Sequence, residues 1–213
     1  PALLPAIAGQ TDTAARELTA VDSGSTGGTL DLVRAAADHV IEIAPDRFNH
    51  GTSRNLGITR ASGRFVVLTV QDARPVSDDW LTCLLAPLRR DEDVAGVFAR
   101  QVPRPGASAV TRDQLSKWVA SQTTSRLTRL DPETFARLAP SERLTRCAFD
   151  NVCSALRRTV WETSPFQATP IAEDLEWSRN VLLSGHAIAY APEGVVEHSH
   201  ERPARYVLAR TWG

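Results

Sequence analysis

Along the first hundred residues, apolar runs of strand length alternate with segments of helical period. Glu17–Asp22 leads into a Gly/Ser/Thr turn and predicts a strand, and Thr29–Ala37 sets Leu30, Val33 and Ala37 at helical spacing. His39–Ala44 alternates as a second strand. Thr52–Ser62 predicts a helix that Gly63 is placed to end. Arg64–Val70 is a β-branched run suited to a buried central strand. Asp78–Arg90 predicts a helix and Val94–Val102 a strand. This order predicts an α/β fold with a mostly parallel central sheet flanked by helices.

The second half is less regular. Pro103–Pro105 interrupts the pattern, and Thr111–Leu144 is polar, Arg-rich and predicted to be helical in pieces. Phe149–Leu156 predicts a strand and Ala172–Ser184 a helix. Ala187–His198 predicts a pair of strands turning at Pro192-Glu193-Gly194. The opening Pro1–Ile7 resembles the side of a first helix, which leads us to expect a preceding strand outside this sequence. No repeat or linker divides the 213 residues, so a single domain over 1–213 is expected.

Composition narrows the function classes. A formal net charge of −1 lacks the basic excess of a nucleic-acid binder, so no nucleic-acid partner is expected. Lys117 is the only lysine; arginine suits bidentate phosphate contacts, but genome-wide bias accounts for the preference equally well. Cys83, Cys147 and Cys153 have no C-x-x-C spacing, which predicts reduced thiols and a cytoplasmic setting. No run approaches the roughly 20 apolar residues of a membrane span, and no signal segment opens the chain. Association with the inner face of the cell membrane is compatible with all of this.

Four segments carry candidate chemistry. Asp22-Ser23-Gly24-Ser25-Thr26-Gly27-Gly28-Thr29 follows a strand and precedes a helix, where backbone N–H groups can approach an anion. By itself the segment reads more readily as a glycine-rich turn with Ser25 or Thr26 as N-cap. Gln71-Asp72-Ala73-Arg74-Pro75 ends the most hydrophobic strand, so Asp72 is either a cation ligand or a turn acid. Glu173-Asp174 begins a helix, as a cap or as a source of a general base. His198 and His200 are two apart, so in extended backbone both rings face one side, as a metal site needs and as polar strand ends also do.

Taken in order, these segments resemble the family 2 inverting glycosyltransferases, in particular their rhamnosyltransferase-like branch, whose fold is GT-A. The matching stretches are Val21–Thr29 (V-D-S-G-S-T-G-G-T), Arg47–Asn55 (R-F-N-H-G-T-S-R-N), Leu68–Pro75 (L-T-V-Q-D-A-R-P), Gly96–Pro103 (G-V-F-A-R-Q-V-P), Phe149–Arg158, Glu173-Asp174 and Val196–His200. Arg112–Arg146 matches least. The resemblance implies a nucleotide-donor half over 1–102 and an acceptor and catalytic half over 103–213. It implies donor contacts from Asp22, Ser23, Gly24, Ser25, Arg54, Gln71 and Asp72. It further implies Asp174 as catalytic base, and a divalent metal, Mn or Mg, at Asp72, His198 and His200.

The implied partners are a nucleoside-diphosphate sugar donor and a glycan or lipid-linked acceptor. Three departures from the family pattern stand out. Gly27 replaces the family's usual Asp in the first motif, Asp72 alone remains of a fuller acidic cluster, and the first strand is expected to lie outside this sequence. Two rivals stay open: a nucleotidyltransferase of similar layout, and a non-catalytic module that binds sugar nucleotides or glycans.

Overall fold

The computed structural model describes residues 2–200; Pro1 and residues 201–213, the two ends of the expected domain, lie outside them. The first half runs α1 (Leu3–Ala8), β1 (Thr19–Asp22), α2 (Thr29–Ala36), β2 (His39–Glu42), α3 (His50–Arg60), β3 (Phe65–Thr69), β4 (Arg74–Pro75), α4 (Trp80–Arg90) and β5 (Val94–Val102). The second runs α5 (Ala109–Ser116), β6 (Arg126–Arg129), α6 (Pro132–Arg137), α7 (Pro140–Arg146), β7 (Cys153–Arg157), α8 (Arg158–Thr163), α9 (Glu173–Leu183) and β8 (Ala187–Glu197). Short 3-10 turns cover Pro45–Arg47 and Val119–Ser121.

The α/β class holds, while strand directions are more mixed than the alternation predicts. β1 and β2 pair in parallel as a separate two-stranded sheet. The main sheet has six strands in the order β3-β7-β5-β8-β4, with β6 also on β8. β5 and β8 are parallel, but β7 lies between β3 and β5 and runs antiparallel to both. A strand that continues straight into the short helix α8 needs no crossover, so periodicity alone does not reveal its direction.

Residues 187–197 form one strand, not two. Its register against β5 jumps from Ala99↔Ala191 to Arg100↔Val195, so Pro192-Glu193-Gly194 bulges out instead of reversing the chain. A proline lacks the N–H a ladder needs, and a bulge accommodates it. Three further expectations shift. β6 is a strand inside the segment expected to be helical. The strand expected from Phe149 starts only at Cys153, leaving 149–152 as a loop. Gly63 lies beyond the C-cap of α3, which is Ala61.

Side chains of β5, β7 and β8 alternate between two cores. Phe98, Leu156, Ile188 and Tyr190 join Phe149 and Trp177 on one face. Val97, Ala155, Ala189 and Ala191 meet Trp80, Leu84 and Leu88 of α4 on the other, where the alanines allow the helix to approach closely. Each fully buried leucine there contributes about 2 kcal/mol. By contrast, β1, α2 and β2 contain no buried residue.

α3 fastens the first half to the second. Asn49 caps it, accepting from Gly51 N (3.0 Å) and Thr52 N (3.1 Å), while its Nδ2 donates to Thr169 O at 2.8 Å. Asn55 accepts from Trp161 Nε1 at 2.9 Å and donates to Phe166 O at 2.8 Å.

Candidate functional site

The carboxyl ends of β3, β5 and β8 and the start of antiparallel β7 lie on one rim, because Thr69 pairs with Cys153 and Val102 with Glu197. The loops at this rim bring together side chains far apart in sequence. Asp72 follows β3, and His198 and His200 follow β8. His198 Nε2 lies 3.7 Å from Asp72 Oδ1, and His200 Nδ1 lies 3.7 Å from Asp72 Oδ2. One ligand atom from each of the three falls within 4.8 Å of the others. Arg104, just past β5, donates to the Asp72 backbone carbonyl, and its Nη2 lies 3.5 Å from the Asp72 carboxylate.

The donor set fits a divalent metal. His198 Nδ1 lies 3.1 Å from Gln101 Oε1, which can only accept, so the ring proton belongs on Nδ1. Nε2 then turns a lone pair toward an Asp72 oxygen with no proton between them, a pair of acceptors that a cation would bridge. Burial lowers the His198 pKa and favours the neutral, ligating ring, with the Asp72 charge opposing. One carboxylate and two imidazoles suit Mn2+ better than Mg2+, which prefers an all-oxygen shell.

Asp174 opens α9 near the same rim. Its carboxylate accepts from Leu175 N at 2.8 Å and Asn151 N at 3.3 Å. Burial raises its pKa to about 6, with the charges of Glu173 and Asp150 adding to the rise. A carboxylate so shifted is a stronger base than an exposed one while still ionised at neutral pH. Ala172, immediately before the acidic pair, sits at φ +60°, a left-handed conformation that costs a non-glycine residue about 1 kcal/mol.

Buried Glu173 pairs with Arg54 and accepts from Asn151 Nδ2 at 3.4 Å. Arg54, expected beside the nucleotide, is thus engaged with an acid of α9. Gln71 is exposed in the turn before Asp72.

The turn after β1 is built differently. Asp22 accepts from Gly24 N and Ser25 N, each at 3.0 Å, and these bonds follow the Ser25 side chain in holding its pKa below the usual carboxylate value. Neither Ser25 nor Thr26 caps α2; its N-cap is Gly28 at φ +81°, without a side-chain bond. Asp22, Ser23, Gly24 and Ser25 therefore form a self-contained turn, and residues 24–28 are exposed.

Reading the sequence alone missed Asp150, Asn151, Gln101, Arg104 and Trp118. Asp150 is buried and accepts from Gln101 Nε2 (2.7 Å), Trp118 Nε1 (2.8 Å) and Val152 N (2.9 Å). An acid-amide pair ahead of the mostly apolar Val152–Leu156 was the available signal at 150–151; Gln101 and Trp118 offered none.

The Glycosyl transferase family 2 model matches residues 3–153. The O-antigen chain rhamnosyltransferase WbaN of Salmonella anatum is 29% identical over 197 residues, covering 91% of this chain and 60% of the relative. The O-antigen chain rhamnosyltransferase RfbN of Salmonella typhimurium is 28% identical over 198 residues, with the same coverage of 91% and 60%. The chain thus spans 60% of the length of these curated relatives.

Among solved structures, the Pyrobaculum calidifontis mannosyltransferase PcManGT, in complex with GDP-Man and Mn2+, superposes with a TM-score of 0.65 at 21% identity, covering 96% of this chain and 54% of that one. Staphylococcus aureus TarS with UDP-GlcNAc gives 0.64 at 17% identity, covering 94% and 54%. Mycobacterium tuberculosis glucosyl-3-phosphoglycerate synthase, with Mn2+, UDP and glucosyl-3-phosphoglycerate, gives 0.61 at 21% identity, covering 98% and 70%. These neighbours have the GT-A fold, as expected for this chain.

Proposed function

The chain belongs to glycosyl transferase family 2, and we propose that it moves a sugar from a nucleoside-diphosphate donor to an acceptor hydroxyl with inversion at the anomeric carbon. The O-antigen rhamnosyltransferases it resembles support rhamnose as the sugar and a lipid-linked, growing cell-envelope glycan as the acceptor. GDP-mannose and UDP-GlcNAc bound to fold neighbours support the donor class. Peripheral contact with the inner membrane face belongs to the same proposal, since a lipid-linked acceptor is presented there. No described helix is long and apolar enough to cross a membrane.

One observation carries the proposal: Asp174, a half-buried carboxylate with a raised pKa, shares a rim with the Asp72–His198–His200 cluster. Asp174 takes the proton of the acceptor hydroxyl. The acceptor oxygen then forms its bond to the anomeric carbon from the face opposite the diphosphate. The bond from that carbon to the diphosphate oxygen breaks, and its electron pair leaves with the phosphate. Arg104, beside Asp72, stabilises the charge that develops there. A divalent cation held by Asp72, His198 and His200 supplies further neutralisation of the diphosphate when bound.

In this scheme the Asp22–Ser25 turn and Gln71 contact the donor nucleotide, and Arg54 steadies the catalytic helix through Glu173. Asp174→Asn is expected to lower transfer by about 100-fold or more while leaving donor affinity intact. Unchanged turnover would remove Asp174 from the role. Release of pyrophosphate instead of a nucleoside diphosphate would identify a nucleotidyltransferase. Donor binding without transfer to any acceptor would identify a binding module.

A further inference from the structure

Three buried groups run from the metal cluster into the protein, His198, Gln101 and Asp150, and the exposed Trp118 closes the line with its indole N–H. His198 is 9% exposed, Gln101 4% and Asp150 8%, so each polar atom among them needs a protein partner. The bonds along this line have a fixed direction. Trp118 Nε1 and Val152 N can only donate, and they reach Asp150 Oδ2 at 2.8 Å and Oδ1 at 2.9 Å. Both carboxyl oxygens of Asp150 are therefore acceptors. Gln101 must turn its NH2 toward Asp150, where Nε2 to Oδ2 is 2.7 Å, and its carbonyl toward His198. The amide cannot flip without facing oxygen to oxygen at one end and N–H to N–H at the other.

We propose that Gln101 and Asp150 are positioning residues that set the tautomer of His198, holding its proton on Nδ1 so that Nε2 presents a lone pair beside Asp72 before any metal arrives. This rests on the metal site proposed above and adds its preorganisation. Metal-ligating histidines ordinarily donate their second N–H to an oxygen acceptor, and losing that acceptor costs about 10- to 100-fold in metal affinity. Here the acceptor is an amide whose orientation is itself imposed by a buried carboxylate. Gln101 lies on β5 and Asp150 in the loop before β7, so the backbone of the sheet core fixes the spacing between them.

The test begins with the full, metal-free chain. Long-range proton–nitrogen NMR of neutral His198 should show Nδ1 protonated and Nε2 bare. A proton on Nε2 overturns the proposal, and no variant is needed for that outcome. In Gln101→Leu the preference should be lost, and the affinity for Mn2+ alone should fall about 10- to 100-fold. An unchanged tautomer in that variant also overturns it.

Gln101→Glu leaves an acceptor for His198 but sets two carboxylates against each other. The double variant Gln101→Glu/Asp150→Asn reverses the donor and acceptor between the two positions at the cost of the Trp118 Nε1 bond to Oδ2, which the exposed indole can exchange for water. It should restore both the Nδ1–H tautomer and most of the Mn2+ affinity. A double variant that is folded yet keeps the wrong tautomer overturns the relay. Wild-type protein that shows the predicted tautomer but binds no Mn2+ leaves the relay standing and removes the metal site instead.

Discussion

The turn after β1 and the rim around Asp174 both carry family motifs, yet they are built on opposite terms. At the turn, Asp22 spends its carboxylate on the N–H groups of its own loop, and residues 24–29 are exposed. At the rim, Asp150, Asn151 and Glu173 are buried and held from other elements, Asp150 by Gln101 of β5 and Glu173 by Asn151 and by Arg54 of α3. The turn is defined locally and can adjust to a nucleotide. The rim is defined by tertiary contacts and is arranged before substrate arrives. The proposed function thus assigns donor contact to a compliant loop and the chemistry to a stiff one.

The largest expected effect tests the rim. If Asp174 is the base, activity must need its ionised form, and its pKa is raised to about 6. Transfer should therefore be flat above that pH and fall about tenfold for each unit below it. A profile without this limb, measured as kcat/KM against pH, would separate Asp174 from the proton transfer. The turn predicts no such limb, because the Asp22 pKa is lowered instead.

Next in size is a packing test of the sheet beneath the rim. A Cβ on Gly96 would lie 2.9 Å from Phe149 Cε2 and 2.9 Å from Trp177 Cζ3. Both rings belong to the larger core and cannot swing away freely. Gly96→Ala is expected to destabilise the fold by about 1–3 kcal/mol, measured by urea unfolding. Loss of less than a few tenths would mean that the core under the rim is looser than the distances indicate.

The third effect has the opposite sign. The Asp174 pKa lies above its usual 3.8, so its contribution to stability is fully present below that value and is lost as pH rises through about 6. Asp174→Asn removes the charge without removing the side chain. The variant should match wild type in acid and exceed it by about 1–2 kcal/mol above pH 6, after allowance for partial solvent exposure. A cost of this kind is the usual exchange where a carboxylate is kept for activity, the role proposed for Asp174. Equal stability at every pH would show that the carboxylate is well solvated.

How much of this the sequence disclosed follows the same division. Strands set by alternation were legible: Val94–Val102 matches its expected limits, and β1, β2 and β3 fall inside theirs. The pairing of His198 with His200 was legible because spacing of two in extended backbone is a local property. Elements whose character depends on partners were not. Pro192-Glu193-Gly194 carries the composition of a hairpin turn, but β5 holds both flanks in one strand and forces a bulge. β6 is a strand because β8 offers it an edge, which no propensity in Arg126–Arg129 announces. Gln101 and Asp150 gain their meaning only from each other. The motif Arg47–Asn55 shows the converse, since a local signature places Asn49, Arg54 and Asn55 where they fasten α3 to the second half.

The smallest expected effect lies in the turn and bears most directly on its compliance. Gly27, where the family usually carries Asp, has φ +71° and would place a Cβ with nothing within 4 Å. Aspartate tolerates the left-handed region better than most residues, and the site is exposed. Gly27→Asp should therefore fold with a loss below about 1 kcal/mol, against the larger loss at Gly96 where space is absent. Its added carboxylate lies five residues from Asp22 and beside the backbone N–H groups of the same loop. A changed thermal shift with nucleotide sugars, at nearly unchanged stability of the free protein, would mark the turn as a donor contact that can be altered without disturbing the fold. A loss as large as that of Gly96→Ala would show that the loop is held by contacts as exacting as those of the rim, and the division between the two regions would fall.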